Sequence, residues 1–149
     1  MRYVLDTNIL VYYIKDGATR RQIDEQYNPF GTDNEAIISV VTIAELKALA
    51  VKNGWGEKKQ AALEKLVNKV IVIEVKYGEL LQYYAEIDGF SQGKIRLPDT
   101  KFSARNMGKN DIWIAATTRL VDGILMTSDH DFDHLNDQYF KVLKVENID

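Results

Sequence analysis

Apolar residues fall along the chain in two rhythms. Five short runs have the β-branched content of buried strands: Tyr3-Val4-Leu5, Ala36-Ile37-Ile38, residues 70–73, Ile124-Leu125-Met126 and Val142-Leu143-Lys144-Val145. Between them the spacing turns helical. Leu80, Leu81, Tyr84 and Ile87 share one helix face, as do Ile112, Ala115, Ala116 and Leu120. Ala61, Ala62, Leu66 and Lys69 around Leu63 read the same way. Strands alternating with helices predict an α/β fold with a mostly parallel sheet of about five strands. Proline marks only two breaks, at Asn28-Pro29-Phe30-Gly31 and Leu97-Pro98-Asp99, and no repeat or linker interrupts the pattern. Residues 1–149 therefore read as a single domain, least regular over residues 89–109.

Composition narrows the chemistry. With 149 residues, 46% of them apolar, the chain is large enough for a core without staples. It has no cysteine, which excludes disulfides, thiolate zinc sites, Fe–S clusters and thiol nucleophiles. No run reaches the roughly 18 apolar residues of a membrane span. Asp6 comes too early for a secretory signal, so the expected location is the cytoplasm. The net charge of −3 argues against indiscriminate nucleic-acid binding, yet it is unevenly spread. Lys94, Arg96, Lys101, Arg105 and Lys109 stand against the single acid Asp99, a local +4 that leaves −7 elsewhere. Such a cluster is either a solvated loop or a phosphate track leading into Asp111.

Four acids fall at element junctions. Asp6 follows the first strand, Glu45 lies in the first turn of the helix after the second, Asp111 opens a helix, and Asp129 ends a strand. Each has a structural role available: Asp6 as a helix cap, Glu45 closing a capping box with Thr42, Asp111 complementing a helix dipole behind an Asn110 cap, and Asp129 shaping a turn. In a parallel α/β sheet, however, strand carboxyl ends and helix N-termini meet at one edge, where ligands bind. Carboxylates clustered there raise one another's pKa unless a cation intervenes. An all-oxygen set without cysteine suits Mg²⁺, with Mn²⁺ as substitute, and metal-assisted hydrolysis at phosphorus.

Asp6-Thr7-Asn8, the run from Ser39 to Glu45, Asn110-Asp111-Ile112-Trp113-Ile114-Ala115-Ala116 and Thr127-Ser128-Asp129-His130-Asp131-Phe132 together resemble, in order, the motifs of PIN-domain nucleases. Length and build most resemble the VapC-type toxins of type II toxin–antitoxin pairs. The resemblance implies a three-layer α/β/α fold and an Mg²⁺-dependent endoribonuclease acting on RNA. It also implies a neutralising antitoxin and leaves a homodimer open. By position, Asp6, Glu45, Asp111 and Asp129 match the metal-binding and catalytic acids. Asn8 and Thr127 match polar positions that orient those carboxylates. Asp131 stands where the family often has an acid before Phe, so the fourth ligand is Asp129 or Asp131. A water oriented by Asp111 or Asp129 would attack the phosphate, giving 5′-phosphate and 3′-hydroxyl ends. Lys101, Arg105 and Lys109 are the expected RNA contacts. The segment between Tyr77 and Lys109 is long for a minimal toxin.

Competing readings fit less well. A haloacid-dehalogenase-like phosphatase needs a second Asp where Asn8 stands, and leaves Glu45 without work. A receiver domain needs adjacent acids after the first strand and an acceptor Asp after the third, where the chain reads Ile73-Glu74-Val75. A catalytically inactive PIN-like module binding RNA or a partner should lack an acid, and all four are present. His130 and His134 are expected at the surface or in turns. Tyr12, Tyr13 and Tyr84 are expected in packing, while Tyr27, Phe30 and Phe102 either stack on RNA or pack on a partner.

Overall fold

The computed structural model describes residues 1–98 and 100–149. Asp99, the acid of the basic segment and the end of the second proline-marked break, lies outside the described residues. Five strands, β1 (Arg2–Leu5), β2 (Glu35–Ser39), β3 (Ile71–Ile73), β4 (Ile124–Thr127) and β5 (Lys141–Lys144), form one wholly parallel sheet in the order β3-β2-β1-β4-β5. Six α-helices are described: α1 (Thr7–Lys15), α2 (Ala18–Gln26), α3 (Val40–Lys52), α4 (Glu57–Val67), α5 (Gly78–Ser91) and α6 (Lys109–Leu120). A short 3-10 helix spans His130–Leu135. No helix among the described residues is long and apolar enough to cross a membrane.

The sheet is apolar on both faces, as a parallel sheet must be, and alternation divides its side chains between two cores. Tyr3, Leu5, Ala36, Ile38 and Met126 point to one side, where Ile9, Leu10, Tyr13, Ile23, Leu46, Leu63 and Leu66 from α1 to α4 cover them. Val4, Ile37 and Leu125 point to the other, against Leu80, Ile87 and Phe90 of α5, Ile112 and Ala116 of α6, and Phe132. Three α/β/α layers result. From β1 to β3 the chain steps one way across the sheet; it then crosses back to β4 and continues outward to β5. Because such crossovers are right-handed, reversing direction moves the helices to the opposite face. The reversal also opens a crevice between the carboxyl ends of β1 and β4.

Every strand lies on a predicted apolar run, but α2 is not marked by the pattern. Only Thr19 and Ile23 of that helix are buried, too few to impose a period. The pattern also carries α4 to Lys69, two residues beyond the end at Val67. Tyr12 and Tyr13 are buried, and the Tyr84 ring packs 4.2 Å from Trp113, as expected of packing residues. Tyr27, Phe30 and Phe102 are partly buried and pack against the chain's own core.

Candidate metal centre

The crevice is built from four elements. Asp6 follows β1, and its backbone N–H is tied to the Met126 carbonyl of β4 at 3.0 Å. Its side chain caps α1: Oδ1 accepts from the Thr7 N–H at 2.8 Å. Oδ2 accepts from the Thr127 hydroxyl at 2.7 Å. That hydroxyl in turn accepts from the Asp129 N–H at 2.9 Å, and Asp129 Oδ1 accepts from the Asp131 N–H at 2.9 Å. One hydrogen-bonded line thus runs from the end of β1 through the end of β4 into the 3-10 helix. Asp6 being a cap does not compete with its being a ligand, since each oxygen retains a lone pair after one hydrogen bond.

Glu45 reaches the crevice from α3. That helix starts at Val40, capped by Ser39, whose Oγ accepts from the Val41 N–H at 3.2 Å. Glu45 therefore sits in the second turn, and the capping-box and first-turn assignments are corrected: Thr42 is buried inside the helix. Glu45 Oε1 instead accepts from the Thr7 hydroxyl at 2.9 Å. Asp111 lies in the first turn of α6, but the cap is Gly108, which offers no side chain, rather than Asn110.

Asp6, Thr7, Asn8, Glu45, Asp111 and Asp129 line one cleft of about 380 Å³. Among the described residues, Asp111, Asp129 and Asp131 each place a carboxylate oxygen within 4.8 Å of the others. Asp131 thus stands beside Asp111 and Asp129. Thr127 lies against Asp6, to which its hydroxyl donates. Asn8 is exposed on the rim, and among the described residues its side chain has no hydrogen bond. Thr7, not expected in this role from the sequence, donates to Glu45. Its place between Asp6 and the first turn of a helix was the available signal, because a Thr there is close to any acid packed from a neighbouring helix.

The electrostatics follow from crowding. Burial, aided by the charges of Glu45 and Asp129, pushes the Asp6 carboxyl up to about 6 against the opposing hydrogen bonds from Thr127 and Thr7. Asp111 is pushed up to about 7, first by burial and then by Asp6, Asp129, Glu45 and Asp131. No cationic side chain among the described residues offsets either shift. The donors are all oxygens, and a hard divalent cation among them would relieve the repulsion that raises both groups.

The PIN domain family matches residues 3–138. The chain belongs to the PIN domain family. Curated relatives include ribonuclease VapC2 of Haemophilus influenzae, 26% identical over 130 residues and covering 87% of each chain. Ribonuclease VapC1 of Haemophilus influenzae strain R2866 is 29% identical over 131 residues, covering 85% of this chain and 86% of that one. Among solved structures, VapBC2 from Rickettsia felis, bound to a DNA fragment from their promoter, superposes with a TM-score of 0.77 at 23% identity, covering 98% and 100% of the two chains. VapBC-1 from nontypeable Haemophilus influenzae gives 0.71 at 24% identity, covering 97% and 98%. These structures share the fold. Of the basic residues expected to meet RNA in this PIN domain, Lys101 lines a separate hollow of about 420 Å³ with Arg96, Gln92 and Leu97, while Lys109 opens α6, two residues before Asp111.

His134 departs from the expected surface position. Its Nε2 lies 2.8 Å from Ser91 Oγ, and its ring packs 5.1 Å from Phe102. Burial, with Arg105 adding to it, pushes its pKa down to about 4. His130 is exposed and pairs with Asp133 at 2.8 Å, as a surface residue would.

Proposed function

We propose that residues 1–149 form one metal-dependent endoribonuclease domain, a VapC-type toxin acting in the cytoplasm and neutralised by a cognate antitoxin. The observation that carries this reading is the convergence of Asp6, Glu45, Asp111 and Asp129 on one cleft at the β1/β4 switch point. The ribonuclease names of the relatives support the activity, and the VapBC complexes among its structural neighbours support an antitoxin partner. A homodimer belongs to the same reading.

Asp6, Glu45, Asp111 and Asp129 would hold Mg²⁺, or Mn²⁺ in its place, with Asp131 at the outer side. Bound there, the cation would polarise water and neutralise charge on the phosphoryl oxygens. The protein's part is orientation. Thr127 and Thr7 fix the rotamers of Asp6 and Glu45 before substrate arrives. Asp111, with Asp129 beside it, would orient the attacking water and take its proton. Water would add to phosphorus as the P–O3′ bond breaks, the leaving 3′-oxygen would take a proton from solvent, and the products would carry 5′-phosphate and 3′-hydroxyl ends. Lys101, Arg105 and Lys109 would draw the RNA backbone towards the amino end of α6.

Incubating the protein with a mixed RNA pool tests the reading. Cleavage should require Mg²⁺ or Mn²⁺, stop with a chelator, leave 5′-phosphate ends and disappear in Asp111→Asn. Cutting that survives chelation, or none with either metal, would overturn it.

A further inference from the structure

One wall of the cleft carries no acid but Glu45. Beyond its acids the cleft is lined by Asn8, Ala48, Leu49 and Lys52, and Lys52 is the one cation lining it among the described residues. Glu45, Ala48, Leu49 and Lys52 follow the i, i+3, i+4, i+7 pattern, so they occupy one face of α3. Ala48 keeps that face low between the two charged side chains. Seven residues of helix place the Lys52 backbone about 10 Å along the axis from Glu45. Lys52 is exposed and, among the described residues, forms no salt bridge.

The charge balance gives this lysine a task. Four carboxylates around one divalent cation still sum to a negative site, and the substrate is itself a polyanion. A site of that sign repels the backbone on either side of the scissile phosphate. With its backbone two helical turns from Glu45, Lys52 need not serve the reacting phosphate. It is placed to take a neighbouring one, and a flexible ammonium suits a point contact with a phosphate oxygen. Complementing the carboxyl end of α3 would be satisfied by any cation in the last turn and does not require one that faces the cleft. Lys47 provides the contrast: on the same helix, it lines a different groove with Gln60, Glu64 and Val67 of α4.

We propose that Lys52 is a substrate-positioning residue that binds an RNA phosphate flanking the scissile one, so that the strand is led along the Glu45–Lys52 face of α3. The proposal rests on the ribonuclease reading above. The test is steady-state cleavage, in Mg²⁺ and at several salt concentrations, of a fluorescent single-stranded RNA that the wild type cuts. Lys52→Ala should raise KM about fivefold to tenfold with kcat nearly unchanged, and should flatten the salt slope by about 0.7. Lys52→Arg should restore both, and Lys47→Ala should match the wild type. A wild-type KM and slope in Lys52→Ala would overturn the assignment while leaving the ribonuclease reading intact. Unchanged RNA kinetics with tighter Mg²⁺ binding by calorimetry in Lys52→Ala would also overturn it, making the lysine a counter-ion of the carboxylates. Failure of the wild type to cut any RNA in either metal would remove the ribonuclease reading and this proposal together.

Discussion

At the carboxyl ends of β1 and β4, Asp6, Thr127, Asp129 and Glu45 are fixed by side-chain hydrogen bonds of 2.7–2.9 Å, two of which bridge distant elements. The basic segment after α5 is held differently. It turns through Gly93 at φ +77°, the left-handed region that favours glycine, and returns along α5 with the Arg105 N–H bonded to the Ser91 carbonyl at 2.9 Å. One aromatic plug, Phe102 against Phe90 and His134, fastens it. The two regions also carry opposite electrostatic loads. The cleft holds acids that resist losing their protons; the clasp holds a histidine that resists gaining one. Acid therefore relieves the first and burdens the second, so chemistry and clasp can be perturbed separately.

Removing the negative charge at the best-fixed position should have the largest effect. Asp6→Asn is expected to remain folded, because Asn also caps helices well. It should lose the melting-temperature increase given by Mg²⁺ and reduce cleavage by more than about 100-fold. Thr127→Val and Thr7→Val remove only the orienting hydroxyls and should cost about 10–100-fold in metal affinity. Metal titrations followed by thermal melting rank the three. An Asp6→Asn protein that still gains stability from Mg²⁺ would take Asp6 out of the site, and one that no longer folds would make it chiefly a cap.

The next effect is a pH dependence of stability. Asp6 and Asp111 titrate near 6 and 7 in the folded protein against an ordinary 3.8, so between about pH 4 and 7 the folded state binds more protons than the unfolded one. Their contribution to stability is therefore greatest below about pH 4 and is lost as pH rises through 6 to 7. Without metal, the protein should become less stable across that window, by on the order of 2 kcal/mol from Asp6 alone. Stabilisation by Mg²⁺ should grow over the same window, since the cation binds the deprotonated site. Denaturant unfolding at pH 5, 6 and 7.5 with and without Mg²⁺ measures both, and Asp6→Asn should flatten the metal-free curve. A metal benefit as large at pH 5 as at 7.5 would contradict the shared-cage geometry.

The contrast between the regions also explains what could be read beforehand. The strands were legible because a parallel sheet buried on both faces demands uninterrupted apolar runs, and Val4, Ile37 and Leu125 supply them. The acids were legible because topology, not local sequence, gathers them: Asp6 and Asp111 are far apart in the chain yet meet wherever β1 and β4 are neighbours. The helpers were less legible. Choosing between Thr7 and Asn8 depends on how α1 is rotated against α3, which the motif alone does not state. Lys52 lies seven residues beyond Glu45, outside any motif. His134 reads as a turn residue because its burial is supplied by Phe90 and Phe102 from distant segments.

The smallest expected effect lies at the clasp. Ser91 Oγ and His134 Nε2 share one hydrogen bond, while His134 Nδ1 is buried without a partner among the described residues. Whichever nitrogen carries the proton, one ring atom goes unpaired, and an unpaired buried polar group costs about 1–3 kcal/mol. Its pKa of about 4 lies below the usual 6.5, so the folded state binds fewer protons between those values. The clasp's contribution is complete above about pH 6.5 and fades as pH falls towards 4, opposite to the cleft. His134→Ala should then expose the Arg105 amide, whose acceptor is the Ser91 carbonyl, while leaving Mg²⁺ binding at Asp6 and Asp111 unchanged. Amide exchange resolved at Arg105 is the readout: about tenfold faster in His134→Ala at pH 7, and accelerated in the wild type between pH 6.5 and 4.5 beyond the intrinsic pH trend. Equal protection in variant and wild type would mean that Phe102 alone fastens the segment, and that the histidine only fills space.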